Sequence, residues 1–377
     1  MFIRQMEREI ENYFAANVTV ELEGSPGLGK SDAIEALVEK WSQRDGFEWG
    51  FGIAFLATYT PIDLMGYMVP VKRMLPDHNG DMHEVLVSEY TTPPWMLCRK
   101  GKPLNSYKKA VLLLDERDKG EPDVKKTAAE LMLKKRIGPH WLGPNVHVIA
   151  ASNRAKDRSG STKDFDFIIN RRGVLSVEPD FESWENWATA KGIKPVFTLF
   201  AKKYPQLIFS GEIPKEQGPY CTPRSYVAAI RLLEARNERM KAAGKDPGLS
   251  YGLDANAEEG AIVQSMVAGV IGEAVTLQLV THLKMRYETP DYEQIVADPV
   301  GTPVPSRPDA KMLVAYECAY HLKAQDAKAV CQYIKHMPPE YHITFAKAAV
   351  KRDHRLILDP AMIAFVKGNT ALMNAIG

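Results

Sequence analysis

Cysteine is scarce in this chain. Only four of the 377 residues are cysteines, and none of them has the CxxC or Cys/His spacing that is typical of a zinc site. This scarcity argues against a metal centre of that kind and predicts free, buried thiols in a reducing compartment. The four cysteines are Cys98, Cys221, Cys318 and Cys331.

Long hydrophobic runs and an excess of one charge are also missing. No uncharged apolar run approaches the roughly 18 residues that a membrane-spanning helix needs. The opening segment, MFIRQMEREIENYF, is interrupted by Glu7, Glu9 and Glu11, so we predict an amphipathic helix there and no signal peptide. Lysine and arginine number 48 and aspartate and glutamate 47, so no global field would attract nucleic acid or an acidic membrane. We therefore expect a cytoplasmic protein without membrane association.

What is present is an ordinary globular composition, with 45% apolar and 25% charged residues. The first half alternates strand-like and helix-like stretches, which indicates an α/β domain with a parallel sheet. The pattern becomes helical from Asp180 onward, and residues 298–308 hold four prolines that mark a boundary. We predict an α/β domain at 1–178, a helical lid domain at 179–297, and a linker with a small helical subdomain at 298–377.

Four strands are predicted in the first half, at residues 18–23, 51–57, 111–114 and 146–151. The last two are nearly all apolar, as expected for strands that are buried on both faces of a sheet. In the first, Thr19, Glu21 and Glu23 alternate with apolar residues, so we predict a partly exposed face or a contact with a neighbouring subunit. Helices are predicted at residues 31–44, 184–191, 226–242 and 257–285.

A long segment at residues 58–110 separates the second and third strands. It is rich in proline, glycine and charge, and a plain loop of that length is uncommon inside a compact domain. We predict an inserted hairpin or helix. Tyr67, Met68 and Arg73 lie early in the insert, where they would line a central pore or simply serve packing and subunit contacts.

A phosphate-binding pattern follows the first strand. Residues 24–31, GSPGLGKS, match G-x-x-x-x-G-K-[ST] between a strand and a helix, the context that this pattern requires. The glycines allow backbone N–H groups to point at phosphate oxygens, and the helix N-terminus adds its dipole. Lys30 would hold the β- and γ-phosphates, and the Ser31 hydroxyl would bind Mg²⁺. The predicted cofactor-binding residues are Gly24, Ser25, Pro26, Gly27, Leu28, Gly29, Lys30, Ser31 and Asp115.

Polar residues also follow the two apolar strands. Asp115 and Glu116 end the run VLLLDE, and carboxylates at the carboxyl end of a buried strand reach the crevice where α/β sheets bind ligands. Asp115 would join Ser31 as a metal ligand, and Glu116 would orient and activate the attacking water. Asn153, after the fourth strand, would sense the γ-phosphate. By itself such an Asn is more often a turn residue.

Taken in order, these motifs resemble an AAA+ ATPase, and specifically its MoxR-like branch. The resemblance covers residues 17–242 and implies a P-loop NTPase fold, an αβα sandwich with a parallel sheet, followed by an all-helical lid and a small helical C-terminal extension. The matching segments are 24–31 (Walker A), 111–116 (Walker B), 150–154 (sensor 1), 170–171 (arginine finger) and 222–224 (sensor 2), with further similarity at 177–188.

The resemblance also implies roles for two arginines. Arg171 would reach the neighbouring subunit's site, and Arg224 would contact the γ-phosphate of its own site. The alternatives are a basic surface turn at residues 171–172 and a solvent-exposed arginine at a helix start. The family usually has an aromatic or apolar residue after the finger, whereas Arg172 follows here, and residues 163–169 replace a typical proline-containing helix start. The finger is therefore either Arg171 or Arg172.

The function implied by the resemblance is an ATP- and Mg²⁺-dependent motor, a homo-oligomeric ring with six subunits expected, that remodels a protein client. The family often acts with a partner bearing a von Willebrand factor A domain. One alternative is a motor or loader acting on nucleic acid, and another is a nucleotide-locked scaffold. A basic cluster could track phosphates or form a solvated helix face; it comprises Lys125, Lys126, Lys134, Lys135 and Arg136.

Overall fold

The computed structural model describes residues 2–154, 157, 172–214, 217–245, 251, 253 and 257–367. The chain divides into two compact units. The first unit comprises Met1–Pro179 with Gly211–Ile213, and the second comprises Asp180–Ser210 with Pro214–Gly377.

The first unit alternates helices and strands, as predicted. Its helices are α1 (Ile3–Ala15), α2 (Lys30–Asp45), α3 (Pro61–Met65) and α4 (Pro122–Lys134). Its strands are β1 (Val20–Gly24), β2 (Gly50–Phe55), β3 (Met68–Pro76), β4 (Met82–Tyr90), β5 (Ala110–Asp115), β6 (Arg136–Ile137), β7 (His140–Trp141), β8 (Val146–Ser152) and β9 (Gly173–Val177).

Five of these strands form one parallel sheet in the order β2-β5-β8-β1-β9. Successive side chains of a strand point to opposite faces, so an apolar strand can serve two cores at once. On β5, Val111 and Leu113 pack with α1 and α2, whereas Leu112 and Leu114 pack with α4. Helices therefore cover both faces, and the predicted fold class, an αβα sandwich followed by helices, is confirmed.

The prediction that the first strand has an exposed face is wrong for two of its three polar residues. β1 lies inside the sheet between β8 and β9, and Thr19 and Glu21 are buried. The Thr19 hydroxyl donates a hydrogen bond to the carbonyl of Met132 on α4. Glu21 pairs with arginine side chains of the same unit. Intrachain partners thus satisfy the polar groups that had suggested exposure.

The segment at residues 58–110 contains the inserted hairpin that was predicted. β3 and β4 pair antiparallel over nine residues each, from Met68 opposite Tyr90 to Pro76 opposite Met82. Most side chains on both faces of this hairpin are exposed, including Tyr67 just before it and Met68. Arg73 forms an ion pair with Glu89 on the opposite strand, at 2.6 Å.

The described part of the second unit is helical. Its helices are α5 (Phe181–Ala190), α6 (Pro195–Lys203), α7 (Pro205–Ile208), α8 (Pro223–Ala242), α9 (Ala257–Ile271), α10 (Glu273–Lys284), α11 (Tyr292–Ala297), α12 (Pro308–His321), α13 (Ala327–Ile334), α14 (Pro339–Arg352) and α15 (Pro360–Lys367). The helix predicted at residues 257–285 is in fact two helices, because Gly272 has φ +81°. Gly272 has ψ 157° as well, so its backbone is extended with a positive φ and cannot continue a helix, and glycine adopts that conformation without steric cost.

Two further sequence predictions concern thiols and membrane spans. Cys98, Cys318 and Cys331 are free and buried, as predicted, and Cys221 is free and half-buried. None of the helices within the described residues is long and apolar enough to cross a bilayer.

Two histidines, one buried and one half-buried, predict how stability depends on pH. Burial lowers the pKa of His282 on α10 and of His147 on β8 to about 4, from 6.5. The unfolded chain therefore binds more protons than the folded protein between pH 6.5 and 4, so stability should fall as the pH decreases through that range. Carboxylates with lowered pKa values, such as Asp353 at about 2, weaken the fold only at lower pH.

The measurement is the thermal midpoint from pH 7 to 4 for the wild type and for His282→Gln. The His282 Nε2 lies 2.8 Å from the carbonyl of Val196, a bond that a Gln amide can also make. The midpoint of His282→Gln should vary less with pH than that of the wild type. His78→Gln, at an exposed position, is the control. Equal pH dependence in all three proteins would contradict the prediction.

Candidate nucleotide site

Three neighbouring strands bring most of the predicted site residues to one edge of the sheet. β8 pairs with β5 on one side and with β1 on the other. After β1 the chain crosses to β2, the outermost strand on one side of the sheet. After β8 it crosses in the opposite direction, to β9, the outermost strand on the other side. Connections that leave neighbouring strands in opposite directions open a crevice at the carboxyl ends of the strands, where α/β proteins bind ligands.

The backbone conformation of the loop between β1 and α2 depends on its glycines. A Cβ on Gly24 would lie 2.6 Å from the Val177 carbonyl oxygen, so only glycine allows this approach to β9. Gly29 has φ +88° immediately before the first residue of α2. The N-terminal turn of α2 has N–H groups without intrahelical partners, and these groups favour an anion.

Lys30 is the first residue of α2, and its ammonium group contacts the backbone of this loop. Its ammonium group donates hydrogen bonds to the carbonyls of Gly24, at 2.9 Å, and Ser25, at 3.2 Å. It also lies 3.2 Å from the Asn153 side-chain oxygen, which it contacts as a donor. Lys30 is only 9% exposed, so its charge is concentrated inside the loop. The loop lysine and the polar residue after β8 therefore meet across the crevice.

Ser31 and Asp115 also meet, although 84 residues separate them. The Ser31 hydroxyl donates a hydrogen bond of 2.5 Å to the Asp115 carboxylate, and the other Asp115 oxygen accepts from the N–H of Glu116. A hydroxyl and a carboxylate are the hard oxygen donors that Mg²⁺ prefers in sites shared with phosphates. These two residues fit a magnesium ion held beside the phosphate loop.

Glu116 leaves β5 in a left-handed conformation, with φ 50°. Its side chain is 39% exposed. One carboxylate oxygen accepts a hydrogen bond of 2.8 Å from the ammonium of Lys119, three residues later. If Glu116 activates the attacking water, its carboxylate must release Lys119 and accept a hydrogen bond from the water instead. The sequence prediction did not include Lys119.

Asn153 is held by a residue that the sequence prediction missed. Its backbone N–H donates to the buried carboxylate of Asp118, at 3.1 Å. Asp118 follows β5 and Asn153 follows β8, so this bond ties together the turns after two neighbouring strands. The side-chain oxygen of Asn153 remains directed at Lys30.

The sequence prediction also missed a cluster of buried charged side chains around Glu21. Glu21 on β1 is 1% exposed and lies within ion-pair distance of both Arg117 and Arg172. The signal was present in the sequence, because a glutamate in a buried strand requires a cationic partner. Which arginines would supply it depends on the strand order.

The two arginines predicted from the resemblance lie outside the described part of the first unit. Arg171 lies outside the described residues, next to Arg172. Arg224 belongs to the second unit, where it is exposed at the second position of α8 after the capping residue Thr222. Their roles toward a nucleotide remain predictions.

Comparisons with known proteins yield structural similarity alone. A scan against known protein families finds no match, and a search of curated proteins finds no significant relative. Among solved structures, a mutant of RuvB from Thermotoga maritima aligns over 79% of this chain and 75% of its own, with 11% identity and a TM-score of 0.37. NtrX from Brucella abortus in complex with ATP aligns over 75% of this chain and 68% of its own, with 15% identity and a TM-score of 0.33. At such values the alignments carry no conclusion about activity, which must be argued from the site itself.

Proposed function

We propose that this chain is a Mg²⁺-dependent ATPase of the AAA+ class, similar to the MoxR-like branch, that works as a ring. The observation that supports this most is the position of Lys30. Its ammonium is shared between the carbonyls of the phosphate loop and the side chain of Asn153. A phosphoryl group bound in the loop would therefore contact both the ammonium of Lys30, which would hold it, and the side-chain amide of Asn153, which would sense it.

The remaining groups suit hydrolysis. Ser31 and Asp115 would hold Mg²⁺, which neutralises charge that develops on the phosphoryl oxygens. Glu116 would accept a proton from the attacking water, since it is the nearest carboxylate beyond the metal ligand in the chain. A neighbouring subunit would supply Arg171, and Arg224 would report the loss of the γ-phosphate.

The proposed work is the remodelling of a protein client by a six-membered ring. The hairpin β3–β4 supports a role in protein contact, because Tyr67, Met68 and Leu86 are each more than 60% exposed. Clusters of exposed apolar side chains commonly mark protein-binding surfaces. A partner bearing a von Willebrand factor A domain is part of this proposal by resemblance alone.

A nucleic-acid motor is less well supported, because the basic residues after β5 are engaged within the chain. Lys125 is buried, Lys126 pairs with Asp123, and Arg136 pairs with Glu130. Burial also lowers the pKa of Lys135. Phosphate tracking needs accessible cations, and of these five only Lys126 and Lys134 are more than half exposed, each near a carboxylate that offsets its charge.

The test is ATP hydrolysis against protein concentration, with and without Mg²⁺, and with and without DNA. A shared-site ring predicts activity per subunit that rises steeply with concentration and disappears without Mg²⁺. ATP binding without turnover under every condition would contradict the motor and favour the scaffold. Activity that requires DNA and falls steeply with salt would favour the nucleic-acid motor.

A further inference from the structure

The charge cluster around Glu21 joins three segments that carry the proposed chemistry. Arg117 places its Nε at 2.9 Å and a terminal nitrogen at 2.7 Å from one Glu21 oxygen. The Nε of Arg172 lies 2.7 Å from the other oxygen. The exposed fractions of the three side chains are 1% for Glu21, 4% for Arg117 and 11% for Arg172. One buried carboxylate thus contacts two guanidinium groups.

Each residue of the cluster is close in the chain to a residue of the proposed catalytic machinery. Glu21 lies three residues before Gly24, where the phosphate loop begins, and Arg117 directly follows Glu116. Arg172 directly precedes β9 and directly follows Arg171. A shift of either arginine would break a buried ion pair with Glu21, which is costly, so both segments are tied to β1.

Building on the proposed function, we propose that Glu21 is a positioning residue that couples the catalytic Glu116 of a subunit to Arg172 at the start of β9, the neighbour in the chain of the proposed finger. The ion pair of Glu21 with Arg117 fixes the turn that carries Glu116. The ion pair of Glu21 with Arg172 fixes the start of β9. Arg172 is thereby engaged inside its own subunit, so the arginine finger is Arg171. Each subunit then adjusts together its own water-activating residue and the finger that it supplies to its neighbour's site.

The test separates a finger from a positioning residue by mixing subunits. Arg171→Ala and Arg172→Gln are each mixed with Glu116→Gln, which keeps both arginines but lacks the base. A missing finger is replaced by the neighbour, so activity should return with Arg171→Ala. Arg172→Gln also disturbs its own Glu116, so we expect at least a ten-fold lower kcat, an unchanged KM for ATP, and little recovery on mixing. Full recovery with Arg172→Gln would overturn the proposal.

A second measurement does not depend on hydrolysis. Amide hydrogen exchange in Glu21→Gln should accelerate both in the turn after β5 and in β9, whereas Thr19→Val, at the buried residue just before β1, should accelerate neither. If Glu21→Gln does not fold, Arg172→Gln serves the same comparison. Acceleration in β9 alone, with the turn of Glu116 unchanged, would overturn the coupling. If Glu21→Gln shows this exchange pattern and the wild type has no ATPase activity, the proposed function is contradicted and the coupling stands.

Discussion

Replacing Glu116 with Gln should leave ATP binding intact and reduce the rate of hydrolysis by about 10²–10⁴-fold, the usual contribution of a general base. The amide keeps the shape of the side chain and can still accept a hydrogen bond from Lys119. It cannot accept a proton from water. The phosphate loop and the Ser31–Asp115 pair are untouched by this change.

The measurement combines steady-state hydrolysis with the binding of a fluorescent ATP analogue. Glu121→Gln is the matched control, because it makes the same chemical change at an exposed residue of the same segment. That control should hydrolyse ATP at the wild-type rate. If Glu116→Gln also retained the wild-type rate, another group would have to be the base.

Replacing Arg171 with Ala should lower the rate of hydrolysis by about 10³–10⁵-fold, as the loss of an arginine finger does in other NTPases. The guanidinium neutralises charge on the transferring phosphoryl group, and this charge develops mainly in the transition state. Affinity for ATP should therefore change much less than the rate.

Mixing decides whether this arginine acts between subunits. In a one-to-one mixture of Arg171→Ala with Glu116→Gln, roughly one site in four would combine an intact base with an intact finger in a ring of head-to-tail contacts. Activity should therefore exceed the sum of the two separate variants. A mixture no more active than that sum would indicate that Arg171 acts within its own subunit or not at all.

The phosphate loop and the ends of the strands could be predicted because their signals are local. Residues 24–31 combine glycines, a lysine and a serine at fixed spacing between a strand and a helix, and this spacing dictates the backbone of the loop. Asp115 and Asn153 were found because each follows an apolar strand. The carboxyl ends of parallel strands lie at one edge of a sheet whatever the strand order, so these residues were expected near one another.

The charge pairs could not be predicted in the same way. The polar face of the first strand was interpreted as partly exposed or in contact with a neighbouring subunit, and in fact Glu21 is buried with Arg117, 96 residues later in the chain. The sequence indicates that a charge in a buried strand needs a partner, but many arginines and lysines are available. The break at Gly272 was missed for a different reason, because a glycine within an apolar helical segment can be tolerated and does not by itself end a helix.

The sequence by itself determined the elements of this protein and the chemistry of its phosphate loop, since both depend on residues that are close neighbours in the chain. Only the tertiary structure decided which distant side chains meet. The order β5-β8-β1 brings Asn153 beside Lys30 and Asp115 beside Ser31, and the position of β1 inside the sheet buries Glu21 between two arginines. Strand order depends on how all the apolar surfaces are buried together, so no local pattern reveals it.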